Sequence, residues 1–425
     1  MKNFEYIKIL IIAIIIFLYF QSCSKGTSPL FENELSIESI YTNASISYFK
    51  ISFTTQFPEA SIRLYRNDSI VVNLKSSNVS NILVDQNLLP NHFYTYYATL
   101  SLDDKEPIIK SAEIELNTLD TTSQDFKNNY EEYGDIASYL KDVHIFNHEN
   151  IWAVGGIRLE NQWYGCLIWD GNVWTVKQLL YNKENIEPNN IVVLQSGQIW
   201  LTQGSVYYYQ DGSLSMSFYD WRSWIERIWG LDEHNLFIVG ENGYFFKYNG
   251  DFRWQWVDTD SEDRLFDISG YMGSDDLIKI WVLGYNTVLY FDGYSWQNII
   301  QLLESNLDQE FVPTATFASE KFDGVLIAAN NQDKSFVFYL SPAFIFPIKL
   351  FECDFIIRAI TADNLNNIIV AGDNLTFAQY NGLHLKTFTN FIGNGKLFGA
   401  DLLNDLAVIV GKIPNHSSVL ITMNK

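Results

Sequence analysis

Cysteine is nearly absent. Only Cys23, Cys166 and Cys353 occur among 425 residues, too few for a disulfide framework to carry the fold. Proline is sparse, with nine residues, and histidine supplies six. Basic residues are outnumbered, 28 Lys and Arg against 50 Asp and Glu, a formal charge of −22. Such a chain repels polyanions, which argues against nucleic acid as a partner and against direct adhesion to anionic lipid. Any anion site has to be local. Long apolar runs are missing too. The one candidate, Ile9 to Phe20, is twelve residues long, and a bilayer core needs roughly 20.

That run has another reading. Lys2 and Lys8 precede it and FQSCSKG follows, which is the arrangement of a secretory signal. Cys23 stands where a bacterial lipoprotein signal places the cysteine that becomes the lipidated first residue. Ser22 fits that pattern and Phe20 departs from its usual leucine. The expectation is a signal peptide at 1–22, an anchor at Cys23, and a polar tether at 23–34.

What the sequence does have is apolar and aromatic mass: 47% of its residues are hydrophobic and 16% are aromatic. Stability is expected from burial. Over 35–120 the mass is divided into short alternating runs, ISYFKISF, ASIRLYR, SIVVNL, FYTYYATLSL and IIKSAEIEL, separated by turn residues. This predicts a β-sandwich. Leu88, Pro90 and Tyr94 in LLPNHFYTYYATL resemble the tyrosine-corner region of fibronectin type III domains, although ISYFKISF lacks the tryptophan common in that family. The resemblance implies a spacer or a binding platform.

From residue 121 onward a repeat takes over. NIWAVG (150–155), NLFIVG (235–240), KIWVLG (279–284) and NIIVAG (367–372) share one pattern, with weaker copies QIWLTQG, GVLIAA and DLAVIVG. A second signature trails it, an apolar run ending in Asp-Gly or Asn-Gly, with glycines at 171, 212, 250, 293 and 382. Asx-Gly between apolar runs signals a hairpin. A period near 40 residues with four short strands per unit predicts a β-propeller. Units beginning near 139, 187, 223, 262, 311, 354 and 394 predict seven blades. The seventh holds only three strands, so the stretch 126–133 is expected to supply its fourth and close the ring. The fold class expected is thus all-β, a fibronectin-like sandwich at 35–120 followed by a seven-bladed propeller at 121–425.

The set NIWAVG…WDG…W behind a fibronectin-like module and a lipoprotein signal resembles a family of exported, repeat-bearing lipoproteins from Bacteroidetes-like bacteria. Some of these carry a "glucosyl transferase" label. The resemblance implies residence on the outer membrane, through the lipid anchor. The WAVG segment also looks like that of assembly-factor propellers of photosynthetic membranes, whose trailing features differ. No Gly-rich phosphate loop stands in a strand–helix context here. The one Asp-x-Asp, Asp258-Thr259-Asp260, follows FRWQWV, expected to be an outer blade strand.

Chemistry is thinly signalled. The histidines are not spaced as a ligand set, so no metal and no cofactor are expected. A nucleophile elbow is absent. One pattern does emerge on aligning the blades. Lys141, Arg227, Arg264, Arg358 and Lys396 open five innermost strands, and five cations at one channel mouth would form a funnel for a carboxylate, sulfate or acidic glycan. Pairing with Glu226, Glu262 and Asp263 is the competing reading. The same rim is expected to carry Trp221, Arg222 and Trp224 of DWRSW, and Arg158 with Trp163. Trp and Arg on loops are common anchors of protein and sugar recognition. The function expected is non-enzymatic binding or scaffolding of an envelope protein or glycan. The alternative is a carbohydrate-active enzyme with carboxylates converging at the mouth.

Overall fold

The computed structural model describes residues 34–425, apart from 55–59, 76–81, 103–105, 221, 223, 251–252, 308, 332–333, 343, 390–393 and 425. Cys23 and Trp221 lie outside the described residues. The chain divides into two compact units. The first comprises the described residues up to Thr42, Ile46–Leu88 and His92–Asn117, and the second Asn43–Ser45, Leu89–Asn91 and everything from Thr118.

In the first unit, strands β1 (Glu34–Thr42), β2 (Ile46–Thr54) and β5 (Ile82–Gln86) form one sheet. The other contains β3 (Ala60–Arg66), β4 (Ser69–Lys75), β6 (Phe93–Leu102), β7 (Pro107–Lys110) and β8 (Ile114–Asn117). Alternate residues of both sheets meet in a single core, among them Phe49, Ile51, Ile62, Leu64, Tyr96 and Leu100. This is the two-residue period of a strand read directly as burial. Tyr94 is buried near the start of β6. Two residues on, the Tyr96 hydroxyl donates to Asp85 at 2.8 Å, and the Arg66 guanidinium pairs with the same carboxylate at 3.1 Å. Burial, aided by Asp85, drives the Tyr96 pKa far above its ordinary value.

The second unit is a β-propeller. Among its described residues are seven antiparallel four-stranded sheets. Their innermost strands are Tyr139–Asn147, Asn190–Val193, Ile225–Gly230, Leu265–Met272, Val312–Ser319, Ile357–Asn364 and Lys396–Leu403. Each sheet then runs outward in chain order, and the Asx-Gly hairpins join its third and fourth strands. Gly171, Gly212, Gly250, Gly293 and Gly382 all adopt the positive φ that such a turn demands. The seventh sheet takes its outermost strand from far upstream. Ser418–Asn424 pairs antiparallel with Lys127–Tyr133, from Ser418 opposite Tyr133 to Asn424 opposite Lys127. The stretch expected to close the ring does pair there. The Ser417 hydroxyl adds a bond to Glu132 at 2.6 Å, and Ser418 bonds the Tyr133 carbonyl at 2.7 Å.

The core is annular. Each apolar cluster of this unit belongs to two neighbouring sheets. Leu140, Ile145 and Leu167 of the first sheet pack with Val408, Val410 and Leu420 of the seventh. Val154 and Cys166 of the first pack with Ile191 and Leu201 of the second. A sheet buried on both faces needs apolar residues at every position, which is why segments such as IWAVG do not alternate. One helix, α1 (Ile300–Leu307), lies between the fourth and fifth sheets and buries Ile300 and Leu303.

The glycine ending the WAVG signature has a steric origin. In five sheets it sits opposite the first buried residue of the innermost strand: Gly155 opposite Leu140, Gly240 opposite Ile225, Gly284 opposite Leu265, Gly372 opposite Ile357 and Gly411 opposite Leu397. The carbonyl of the preceding residue presses onto it. A Cβ on Gly372 would fall 1.8 Å from the Ile356 oxygen, and one on Gly155 2.2 Å from that of Tyr139. The next residue of the inner strand is bulged out of the ladder, at Lys141, Glu226, Phe266, Arg358 and Phe398. A bulge re-aims its side chain, and it recurs here at one level of the ring. Gly372→Ala should therefore cost about 1–3 kcal/mol, the usual penalty of overpacking. All twelve tryptophans lie beyond residue 150, so urea unfolding followed by tryptophan fluorescence reads the propeller alone. An unchanged midpoint would show that the carbonyl contact carries no such constraint.

Candidate functional site

The seven innermost strands surround a central cavity of about 290 Å³, lined by polar side chains that include Asp142, Asn190, Ser269, Thr316 and Asp401. Most of these groups bind the neighbouring sheet. Asp142 accepts from the Ile191 amide at 3.1 Å and from the Asn190 side chain. Asn190 passes the bond on, its Oδ1 accepting from the Ile228 amide at 2.8 Å. Arg227 pairs with Asp267 at 3.1 Å, and Asp267 accepts from the Thr316 amide at 2.8 Å. Ser269 accepts from the Ala318 amide at 2.7 Å. Asp401 of the seventh sheet accepts from the Ile145 amide of the first at 2.7 Å. An inner-strand N–H facing the channel has no ladder partner, and a buried donor left unpaired is costly. A side chain from the sheet before supplies the acceptor.

Above this belt, where the inner strands begin, lies a second cavity of about 360 Å³. Its walls carry Lys141, Arg227 and Arg358 beside Phe266, Tyr285 and Phe398. The structure thus brings three of the five expected cations to one mouth. The other two stand apart for a reason of register. Lys141 and Arg358 are bulge residues; Arg227 comes one position after the bulge; Arg264 and Lys396 come two positions before it. A shift along a strand turns a side chain to another face, so a shared position near the strand start is not a shared direction.

The cations also differ in their partners. Arg264 is held by Glu226, its Nε donating at 2.9 Å. Arg358 forks onto Asp373, with Nε and with Nη2, the latter at 3.2 Å. Arg227 has Asp267. Burial works against the Arg227 charge, and Asp267 with Asp142 more than offsets it, so its pKa is raised. Burial outweighs Arg227 at Asp267 and leaves that carboxyl raised. Lys141 is half-buried, and its ammonium rests 4.1 Å from the centre of the Phe398 ring. Its pKa is lowered, first by burial and then by the nearby charges of Lys412 and Arg358. Lys396 adds to that effect from an exposed position.

The rim residues are separate. Arg222 is exposed and forks onto Asp220, with Nε at 2.9 Å and Nη2 at 2.6 Å. The Tyr244 hydroxyl donates to the same carboxylate at 3.1 Å. Arg222 above all holds the Asp220 pKa far below the ordinary carboxylate range. Trp224 is 45% exposed, with its ring against Gly204. Trp163 is half-buried in the strand Gln162–Trp169, and its carbonyl accepts from Gln178. Arg158 reaches Asp135 at 3.5 Å and Asn161 at 2.7 Å.

Elsewhere little chemistry gathers. Among the described residues no three His, Cys, Asp or Glu side chains come together as metal ligands. Burial pushes the thiols of Cys166 and Cys353 up to about 12, so neither is a nucleophile near neutrality. Asp258 and Asp260 are exposed beyond the outer strand Trp254–Trp256, joined in a turn by a bond from the Asp260 amide to Asp258.

The sequence reading passed over Asp142, Asn190, Asp267 and Asp401, and the aromatic wall. A signal was available for the first three: each falls within the first four residues of its inner strand, a polar residue where strands buried on both faces are otherwise apolar. Asp142→Ala should lower propeller stability by about 2–4 kcal/mol, because two buried donors lose their acceptor. Urea denaturation read by tryptophan fluorescence measures it, and a loss under 0.5 kcal/mol, roughly the scale of a surface substitution, would contradict the role assigned to the belt.

No family model matches the chain, and no curated protein matches it. Among the described residues no helix is long and apolar enough to cross a membrane. Solved structures do resemble it in shape. One, BBS1N in complex with ARL6DN, soaked with lead, aligns at a TM-score of 0.48 with 14% identity, over 71% of this chain and 97% of that one. The Dos1 propeller aligns at 0.47 with 10% identity, over 70% of this chain and 95% of that one.

Proposed function

We propose that this chain is an exported lipoprotein of the bacterial outer membrane, acting as a recognition module and not as a catalyst. In this reading 1–22 is the signal peptide, Cys23 carries the lipid, and 23–34 is a tether. Residues 35–120 are a fibronectin type III-like sandwich used as a spacer, and 121–425 a seven-bladed ring that engages an envelope partner at its channel mouth. One observation carries the binding reading. At the mouth the carboxylates Glu226, Asp267 and Asp373 are each engaged by an arginine, while Lys141 lines the cavity in no ion pair among the described residues, beside aromatic rings, other cations and the Glu226 that Arg264 already holds. Acid–base catalysis on a glycan needs two carboxylates poised for proton transfer and nucleophilic attack. Carboxylates locked to guanidinium groups serve that role poorly. A half-buried cation beside other cations instead favours an arriving anion.

Two experiments test this. Growth with an alkyne-bearing fatty acid should label the protein, and Cys23→Ala should abolish the label; persistent labelling would remove Cys23 as the anchor. Amine-reactive crosslinking in the intact envelope should recover one dominant partner through Lys396 or Lys412. Crosslinks confined to lysines away from the mouth, such as Lys183 or Lys247, would move the working face elsewhere.

A further inference from the structure

The mouth's walls say more about what it takes, on the reading that it is the binding site. We infer that the mouth receives the carboxy-terminal end of a polypeptide whose last side chain is apolar. Three features of the cavity select that chemistry.

The first is charge. Three arginines at this end of the channel each face a carboxylate, Arg227 with Asp267, Arg264 with Glu226 and Arg358 with Asp373. Among the described residues Lys141 is in no ion pair, and the carboxylate that acts on it, Glu226, is held by Arg264. The charged residues lining the cavity, Lys141, Arg227 and Arg358 against Glu226 and Asp267, leave one positive charge over, which a single carboxylate offsets. Phosphate and sulfate esters or a polyanionic chain bring more charge than the site lacks, to a protein of net charge −22. Lys396 and Lys412 lie close enough to depress Lys141, and draw a lone carboxylate inward.

The second is the wall. Phe266, Tyr285 and Phe398 stand with Pro313 and Ile356 around the same cavity. Phe266 and Tyr285 contact each other with ring centres 5.4 Å apart. Thr314 is the hydroxyl-bearing aliphatic residue of the lining, and its hydroxyl is given to the Ala328 carbonyl at 3.2 Å. A uronic acid would bring several hydroxyls that need partners when desolvated, and the lining's Arg227, Asp267, Glu226 and Arg358 are already taken up in ion pairs. An apolar side chain next to a carboxylate matches it.

The third is depth. The mouth cavity of about 360 Å³ is at the small end of ligand sites, room for one or two terminal residues. Below it the channel turns polar, with Asp142, Asn190 and Asp401, so a long acyl tail cannot continue inward. A fatty acid has the right head and the wrong body. A peptide leaves by the open mouth with its backbone in water.

The test uses the full chain and fluorescence anisotropy. The probes are pooled N-terminally labelled octapeptides with Leu or Phe last, in free-acid and amidated forms, and a pool ending in Asp. Oligogalacturonate and decanoate serve as competitors. The free-acid apolar pool should bind at least tenfold tighter than the amidated pool and the Asp-ended pool. Lys141→Met keeps the stem over Phe398 and removes the charge; it should erase the preference for the free acid while the melting temperature stays within a few degrees. Equal binding of acid and amide would overturn the inference. So would displacement by decanoate at equal potency. If oligogalacturonate binds in a Lys141-dependent way and the peptides do not, the mouth remains an anion site and the peptide assignment falls. If no probe binds and crosslinks map away from Lys396 and Lys412, recognition at the mouth falls with it.

Discussion

A ring of sheets is tied shut when its last sheet is completed by a strand from the other end of the ring. Here that completion is the pairing of Lys127–Tyr133 with Ser418–Asn424. The hydrophobic cluster under it, with Leu140 and Ile145 on one side and Val408 and Leu420 on the other, exists because the first and seventh sheets are held face to face. The mouth depends on the same contact. Lys141 comes from the first sheet and Phe398, Lys396 and Lys412 from the seventh. The candidate site straddles the closure, so the geometry that gives Lys141 its aromatic floor is the geometry of the closed ring.

The bulge level shows how a repetitive fold acquires a specific site. Glycine opposite the start of each inner strand is a packing requirement, common to five sheets. In those five sheets the next residue is bulged out of the ladder and lines the mouth. What sits there is not constrained by the repeat, and the six sheets with a bulge spend the freedom differently: lysine, glutamate, arginine, threonine and two phenylalanines. The belt below is constrained in the first, second, fourth and seventh sheets, whose inner strands offer a side-chain acceptor to the next inner strand's N–H. In the first and fourth sheets the two roles fall on adjacent residues, Lys141 with Asp142 and Phe266 with Asp267.

This also explains what was legible in the sequence. The period, the Asx-Gly turns and the closing strand were readable, because burial on both faces and positive φ leave strong residue preferences. Tyr94 could be placed near the start of a core strand from LLPNHFYTYY alone. The direction of the cations was not readable. Lys141 and Lys396 look equivalent in an aligned repeat, but the bulge falls on Lys141 and two residues past Lys396. The competing reading named Glu226, and Arg264 does pair with it, but it missed Asp267 and Asp373, which lie 40 and 15 residues from Arg227 and Arg358. Phe266 and Tyr285 gave no sign of facing a cavity, because aromatic residues are everywhere in this chain.

The closing strand has a consequence in time. Its two partners are separated by nearly the whole propeller sequence, so their pairing carries a large loop-closure entropy and is expected to form late. Until it does, Lys141 has no Phe398 beneath it, and the Ile145 amide has no Asp401. Every open-ring folding intermediate therefore lacks the mouth, even with most of its sheets in place. The candidate mouth is completed in one step, with the last strand.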